Sequence, residues 1–523
     1  MGLLRSLLTI SGNTLISRIL GFLRDRLVYS VLGLGAMADA FTICVKAPSL
    51  FRRLFAEGAF NAAFIPTYTG VYVEQGKEEA KIFAERSFTL LAMFLLGLSI
   101  VAEIYMEEFI WTIAPGFKGK PDSYMYAVEF TRITFPYILF ISLTALIGGV
   151  LNSMDKFAAP AATQIIANFV VIAVFVFMQD SLATAGHAAA WGSLLSGVVQ
   201  FFWLHWVLRR TGIKLWFRRP KVTDSMRKMW KLFVPGVIGS GIVQLNLFAS
   251  MMIGSNLHTG GVGALSIADR INQLPLSLIG VAMGTALLPL LYRQLKAGEY
   301  DAAIYTQNRA LELTLLLTLP AAATLMIYSD SFLAVLFMAE NFTLDHVKQT
   351  APALVAYATG LPAYVVIKVL SASFFAHQDT KTPMYVAGVC FGMNAVLSLM
   401  SVYTLNDSNL GHVGIAAALS ISSWINAFIL GVISYHRRFL KLDVQLVRNS
   451  GLAVVATCVC AAVIYYLEPV FYPYFIYSSL PIKVSLLTLL VLFGIISFML
   501  PAYVMGILNI KEIKIRKLKD STK

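Results

Sequence analysis

The sequence predicts an all-α polytopic membrane protein of 14 transmembrane helices, arranged as two parallel six-helix lobes plus two C-terminal helices. Three observations carry that expectation. Hydrophobic residues make up 58% of the 523 and charged residues only 13%, where a water-soluble chain carries about 25% charged. Apolar stretches of spanning length recur from end to end, with basic residues gathered in alternate loops. Landmarks of the first half return in the second at a near-constant offset. A mean hydropathy of +0.73 calls for helices that are apolar on the face turned to lipid.

A span takes roughly 20 residues. Stretches that meet this run over 8–32, 38–66, 84–104, 126–150, 160–179, 187–208, 231–256, 264–292, 309–329, 350–375, 383–404, 412–435, 449–467 and 483–508. The first outruns a signal-peptide core, contains Arg18, Arg24, Asp25 and Arg26, and has no small-residue cleavage site after it. It reads as a retained helix. The loops after spans 6, 8 and 12 and the tail are basic: Arg209 to Lys228, Arg293 and Lys296, Arg437 to Arg448, and Lys511 to Lys519. The opposite loops hold Glu107, Glu108, Asp122, Asp330, Glu340, Asp345 and Asp407, with Lys118, Lys120 and Lys348 as exceptions. By the positive-inside rule both termini are cytoplasmic.

The repeat links FNAAFIPTYTGVYVEQG around Pro66 to MGTALLPLLYRQLKAG around Pro289. Pro136 answers to Pro362, Pro160 to Pro383, Asn168 to Asn394, and Arg209-Arg210 to Arg437-Arg438, all 223 to 228 residues on. A unit of six spans returns to its starting side, so the two copies run parallel, related by a pseudo-two-fold axis along the membrane normal. The expected divisions are 1–215, 216–440, and an appendix with a basic tail at 441–523. Two matched lobes can expose a central cavity to either side by rocking.

Charges inside spans are expensive and mark function. Span 1 holds Arg18, Arg24, Asp25 and Arg26; span 2 holds Asp39, Lys46, Arg52, Arg53 and Glu57; span 8 holds Asp269 and Arg270; span 10 holds Lys368. At about 1.5 Å per residue, Arg18 lies roughly 15 Å and Arg52 roughly 21 Å into their spans. Two readings stand. In one, internal pairs such as Arg18 with Asp25 or Asp269 with Arg270 tie helices together. In the other, the groups line a water-filled, anion-binding cavity. Cations outnumber anions among them, and the planar fork of Arg binds phosphate bidentately. Lys46 and Arg26 suit snorkelling equally well. Pro48, Pro136, Pro275, Pro289 and Pro362 interrupt helical hydrogen bonding within spans, and Pro48 lies four residues before Arg52.

Other functional classes find no footing. A net charge of +13 without aromatic-basic interleaving speaks against nucleic acid. Gly70 to Gly76-Lys77 has the wrong spacing for a phosphate loop, and neither HExxH nor GxSxG occurs, so the chain is not expected to be an enzyme. Cys44, Cys390, Cys458 and Cys460 sit in apolar stretches without ligand spacing, which implies no metal, cofactor or disulfide.

The stretch SRILGFLRDRLVYSVLGLGAMADAFTICVKAPSLFRRLFAEGAFNAAFIP (17–66) resembles the signature of the MurJ (MviN) family, lipid II flippases of the multidrug/oligosaccharidyl-lipid/polysaccharide exporter superfamily. TRITFPYILFISLTALIGGVLNS, ADRINQLPLSLIGVAMGTALLP and IKVLSASFFAHQDTKTP are similar as well. The resemblance covers essentially the whole chain. It implies movement of undecaprenyl-diphosphate-linked disaccharide-pentapeptide, lipid II, from the inner to the outer leaflet of the bacterial inner membrane, in peptidoglycan synthesis. It implies a cationic cavity of Arg18, Arg24, Arg52 and Arg270, with Asp25, Asp39, Arg53, Asp269 and Lys368 as further members, and a lipid-tail groove at spans 13 and 14. Membrane lipids and cell-wall synthesis proteins are the other partners it implies. Gln273 stands where some relatives carry Glu. The sodium-site carboxylates of some relatives are matched only by neutral groups such as Gln244, Asn246 and Asn394. The rivals are an exporter of another polyprenyl-linked oligosaccharide or a drug/ion antiporter of the same superfamily, a polyprenyl glycosyltransferase, and a scaffold. A drug-cation exporter needs unpaired cavity acids, a glycosyltransferase needs an acidic pair on a sizeable outer loop, and a scaffold leaves the repeat and buried charges unexplained.

Overall fold

The computed structural model describes residues 2–53, 59–221 and 223–507. Glu57, the side chain of Asn246 and the basic tail from Lys511 lie outside the described residues. Among the described residues the chain is all-helical, with no strand. It divides into two compact units, 1–263 with 339–342, and 264–338 with 343–523.

The first unit is built from α1 (Gly2–Leu32), α2 (Ala36–Arg52), α3 (Ala59–Ile104), α4 (Met106–Ile113), α5 (Pro121–Thr134), α6 (Tyr137–Asn152), α7 (Ala158–Met178), α8 (Ala185–Arg210) and α9 (Asp224–Gly254), with a short 3-10 turn at Pro115–Gly119. α1 packs on α7, α2 on α5, α3 on both α6 and α9, and α8 on α5, α6 and α7. Two glycines of α8 permit the last of these. A Cβ on Gly186 would stand 2.2 Å from the Phe130 ring, and one on Gly197 would stand 2.6 Å from the Tyr137 ring. α8 begins where Thr184 caps the His187 amide, supplying an oxygen to one of the orphan N–H groups of the first turn.

The second unit holds nearly all of α10 (Gly261–Lys296), then α11 (Tyr300–Ile327), α12 (Ser329–Phe337), α13 (Leu344–Ala376), α14 (Lys381–Leu405), α15 (Gly411–His436), α16 (Val444–Tyr477) and α17 (Leu480–Val504). α13 packs on α11 and α15, α14 on α15, α11 on α16, and α16 on α17. Arg309 of α11 pairs with Asp443 at 2.6 Å and also with Glu312, which Asn449 of α16 contacts in turn. Asp443 additionally caps α16 by accepting from the Leu446 amide at 2.6 Å.

The repeat is visible element by element. α4 starts at Met106 and α12 at Ser329; α5 at Pro121 and α13 at Leu344; α7 at Ala158 and α14 at Lys381. Each pair is 223 residues apart. Ten helical segments are long and apolar enough to cross a membrane among the described residues, with α5 and α6 counted as one. α1, α2, α9 and α10 match the expected spans 1, 2, 7 and 8 in position but are not among the ten. α2, at 17 residues, is shorter than a span, and the charges within α1 and α10 lower the apolarity by which spans are recognised. The ten segments and the family described below make this a multi-pass membrane protein.

Two boundaries differ from the expectation. The helix containing Pro66 continues through the region read as a loop and merges with span 3 across a kink at Gly76, whose φ of 88° favours glycine. Span 4 is two helices, broken between Thr134 and Tyr137, because Pro136 cannot donate a backbone bond. Pro48, Pro275, Pro289 and Pro362 lie within continuous helices.

Candidate functional site

In the first unit the charge cluster centres on α1. Arg24 donates from Nε at 2.8 Å and from Nη2 at 2.6 Å to Oδ1 of Asp25. Its Nη1 donates at 3.1 Å to Oδ1 of Asn168 on α7. Asn168 is buried and anchors itself by donating at 2.9 Å to the Ser17 carbonyl. The sequence pairs Asp25 with Arg18 by their common face, whereas the structure gives Asp25 to its neighbour Arg24. Arg18 is exposed. The long guanidinium of Arg24 folds back along the helix, and Asn168 holds its far edge. Asn168 is a positioning residue for which the repeat is the only sequence signal.

α2 carries the second set. Asp39 is fully buried, and both oxygens are engaged: Oδ2 accepts from the Gly260 amide at 2.7 Å and Oδ1 from the Gly263 amide at 2.8 Å. A carboxylate at a helix N-terminus meets the orphan N–H groups and the positive end of the dipole. Asp39 therefore anchors the start of α10, and its oxygens are occupied by protein. The α4–α5 turn joins the same assembly. The Gly116 amide donates to Ser255 Oγ at 2.9 Å, and Lys120 Nζ donates to the Ser255 carbonyl at 2.8 Å and to the Leu257 carbonyl. Burial lowers the pKa of Lys120, with the charge of Asp39 opposing that shift. At the far end of α2, Lys46 and Arg52 are half-buried and Arg53 is exposed.

The second unit holds Asp269, Arg270 and Lys368. Gln273, one turn beyond Asp269 on α10, donates to its Oδ2 at 2.6 Å. Gln273 thus acts as a neutral donor to the carboxylate. Tyr357 and Tyr364 of α13 lie within electrostatic range of Asp269, and the Tyr364 hydroxyl shares a 3.1 Å hydrogen bond with Ser420. Arg270 is half-buried and Lys368 exposed. A Cβ on Gly280 of α10 would stand 2.8 Å from Lys368 Nζ, so the missing side chain at 280 makes room for the Lys368 ammonium. Sequence reasoning missed Gly280 and Tyr364.

Gln244 and Asn394 are both buried, with side-chain carbonyl oxygens that have no hydrogen-bond partner. Among the described residues no group of three or more His, Cys, Asp or Glu could hold a metal ion.

Comparison with known proteins places this arrangement in a family. A family profile described as "Lipid II flippase MurJ" matches residues 28–486. A Rhizobium tropici protein named "Probable lipid II flippase MurJ" is 37% identical over 525 residues, covering 99% of this chain and 97% of its own. A Burkholderia cenocepacia protein named "Lipid II flippase MurJ" is 33% identical over 86% of this chain and 88% of its own. A solved structure titled "Lipid II flippase MurJ, inward closed conformation" aligns with a TM-score of 0.76 at 24% identity, over 95% of this chain and 98% of that one. An inward-facing transporter of the multidrug resistance MATE family shares the fold at a TM-score of 0.69 and 16% identity, over 80% of this chain and 94% of that one. The chain belongs to the MurJ family.

Proposed function

We propose that the chain flips lipid II, the polyprenyl-diphosphate-linked peptidoglycan precursor, from the inner to the outer leaflet of the bacterial cytoplasmic membrane by alternating access, and so serves cell-wall biogenesis and cell shape. What supports the reading is the presence of arginines within the helices α1, α2 and α10 in a chain of the MurJ family. Arg18, Arg24, Arg52 and Arg270 clamp the diphosphate, because a guanidinium offers two parallel donors to phosphate oxygens. Asp25 aims Arg24. Arg53, Asp269 and Lys368 extend the polar lining, and Asp39 holds the start of α10 in place. The chain has 14 spans with both termini in the cytoplasm; 1–215 and 216–440 are the rocking lobes, and spans 13 and 14 within 441–523 hold the lipid tail. Membrane lipids surround the chain, and cell-wall synthesis proteins are its candidate protein partners.

The energetics favour a potential-driven cycle. Outward movement of one negative charge through an interior-negative potential of about 100 mV releases about 2.3 kcal/mol. The cavity arginines neutralise the cargo in transit. The emptied cationic cavity is then drawn towards the negative interior, which resets the inward-facing state. The test is complementation of cells depleted of their own flippase. The chain is expected to restore growth, and Arg18→Ala, Arg52→Ala and Arg270→Ala to insert normally without restoring it. Growth supported by all three variants overturns the clamp.

A further inference from the structure

In the first unit a cleft opens between α3 and α9. It has a volume of about 320 Å³ and is lined by Phe60, Leu90, Leu91 and Phe94 on one side and Met226, Met229, Trp230 and Phe233 on the other, with Ser87 as its one polar member. The walls are fixed by aromatic contacts: Phe60 stacks on Phe64 at 5.3 Å and meets Phe233 edge-on at 6.3 Å, and Trp230 meets Phe233 edge-on at 5.2 Å. Phe94 and Trp230 are exposed, so the cleft opens at the surface of the unit. Nothing in the mechanism above uses it.

Three observations say what fills it. The first is depth. Ser87 to Phe94 extend about 10 Å along α3 from just inside the expected start of span 3 at 84, within the roughly 15 Å hydrocarbon half-thickness of one leaflet, while Met226, Met229 and Trp230 of α9 lie just before the expected start of span 7 at 231. The second is charge. The segment from Arg209 to Lys231 carries nine Lys and Arg against Asp224 alone. It is fixed beside the cleft, where the Arg218 amide donates to Thr89 Oγ1 at 2.9 Å and its Nη1 to Glu85 at 3.0 Å. The third is Ser87, 2% exposed, whose hydroxyl has no hydrogen-bond partner. A buried hydroxyl without a partner is costly, and an ester carbonyl at the head of an acyl chain would satisfy it.

The geometry points to a binding site for an anionic glycerophospholipid of the cytoplasmic leaflet, with one acyl chain in the α3–α9 cleft and the headgroup among the cations of the 209–231 segment. Basic pockets between helices at the cytoplasmic face recognise anionic headgroups in this way. The assignment of leaflet rests on the orientation proposed above; the binding itself does not.

The test uses the purified full-length protein in detergent, with equal amounts of dioleoyl phosphatidylglycerol and dioleoyl phosphatidylethanolamine, and native mass spectrometry of the lipid retained. The wild type is expected to retain the phosphatidylglycerol on the order of tenfold more, as two or so cations near an anionic headgroup give. Met229→Trp fills the cleft and should abolish retention. Ser87→Met fills it from the α3 side should the first variant fail to fold. The triple variant R227Q/K228Q/K231Q should keep a retained lipid but lose the preference. Equal retention of both lipids by the wild type, or wild-type retention by the cleft-filling variants, overturns the proposal. So does a polyprenyl phosphate that displaces phosphatidylglycerol from the wild type and is lost with Met229→Trp, which would give the cleft to the cargo's tail. The assay needs no flipping, so its failure and that of the transport reading are separate results.

Discussion

Arg24 is held from two sides, by the carboxylate next to it and by an amide from α7. Its guanidinium is thereby oriented before any ligand arrives, and pre-organisation of this kind reduces the side-chain ordering that binding must otherwise supply. Asn168→Ala is therefore expected to weaken cargo binding while leaving insertion intact. Arg→Lys at 18, 52 or 270 should restore growth poorly, since a point charge lacks the planar fork; growth equal to wild type from all three Lys variants would contradict bidentate binding. Asp39 belongs to a different class. Asp39→Ala leaves two buried amides without a partner and is expected to cost about 2 kcal/mol, read as a lowered Tm of the detergent-solubilised protein, with Asp39→Asn milder because it keeps one acceptor. Gly280→Ala should fold, alanine being the better helix former, yet displace the Lys368 ammonium. Transport should fall only modestly, because the crowded atoms are the far end of an exposed, flexible side chain, and the effect should vanish in a Lys368→Ala background. The positions of these charges within helices were legible from the sequence. Their partners were not, because the amides that Asp39 accepts from lie more than 200 residues away and Asp25, which shares a helical face with Arg18, is taken by its sequence neighbour Arg24.

At the scale of elements, apolar length identified most of the spans, but proline chemistry did not single out Pro136, where the helix breaks, from Pro48, Pro275, Pro289 and Pro362, where it continues. The short helices α4 and α12 were illegible because eight or nine residues fall below spanning length, although they recur at the repeat offset. The helix continues past Pro66, beyond the expected span 38–66, because Glu74, Lys77, Glu78 and Glu79, though too polar for a span, are good helix formers. The connection between α13 and α14 yields a test at this scale. The Thr382 hydroxyl and amide, and then Arg437 from the end of α15, hold the Asp379 carboxyl down at about 2. An unfolded Asp titrates near 3.9. Its stabilisation is thus fully present above that pH and is lost as pH falls towards about 2. Thermal unfolding of wild type and Asp379→Asn should differ by a constant amount above about pH 5 and converge below. A gap that persists unchanged at pH 2 would assign the effect to packing.

For the whole molecule, the repeat and the basic loops together make an orientation, and orientation is measurable. A reporter fused near residue 220 is expected in the cytoplasm and one near residue 340 outside; the reverse result at either would remove one span from the count and invert every loop beyond it. The driving force is tested by collapsing the potential with an ionophore, with and without sodium. Precursor exposure should stop on loss of potential irrespective of sodium, whereas flipping that survives that loss but needs sodium would restore ion coupling. The measurement that bears most directly on the central claim is the leaflet distribution of the lipid-linked precursor in cells that depend on this chain, read with an outside-acting enzyme or label as the chain is depleted. The account predicts that precursor accumulates in the inner leaflet and its exposed fraction falls in step with the protein. An exposed fraction that stays constant through depletion would contradict it.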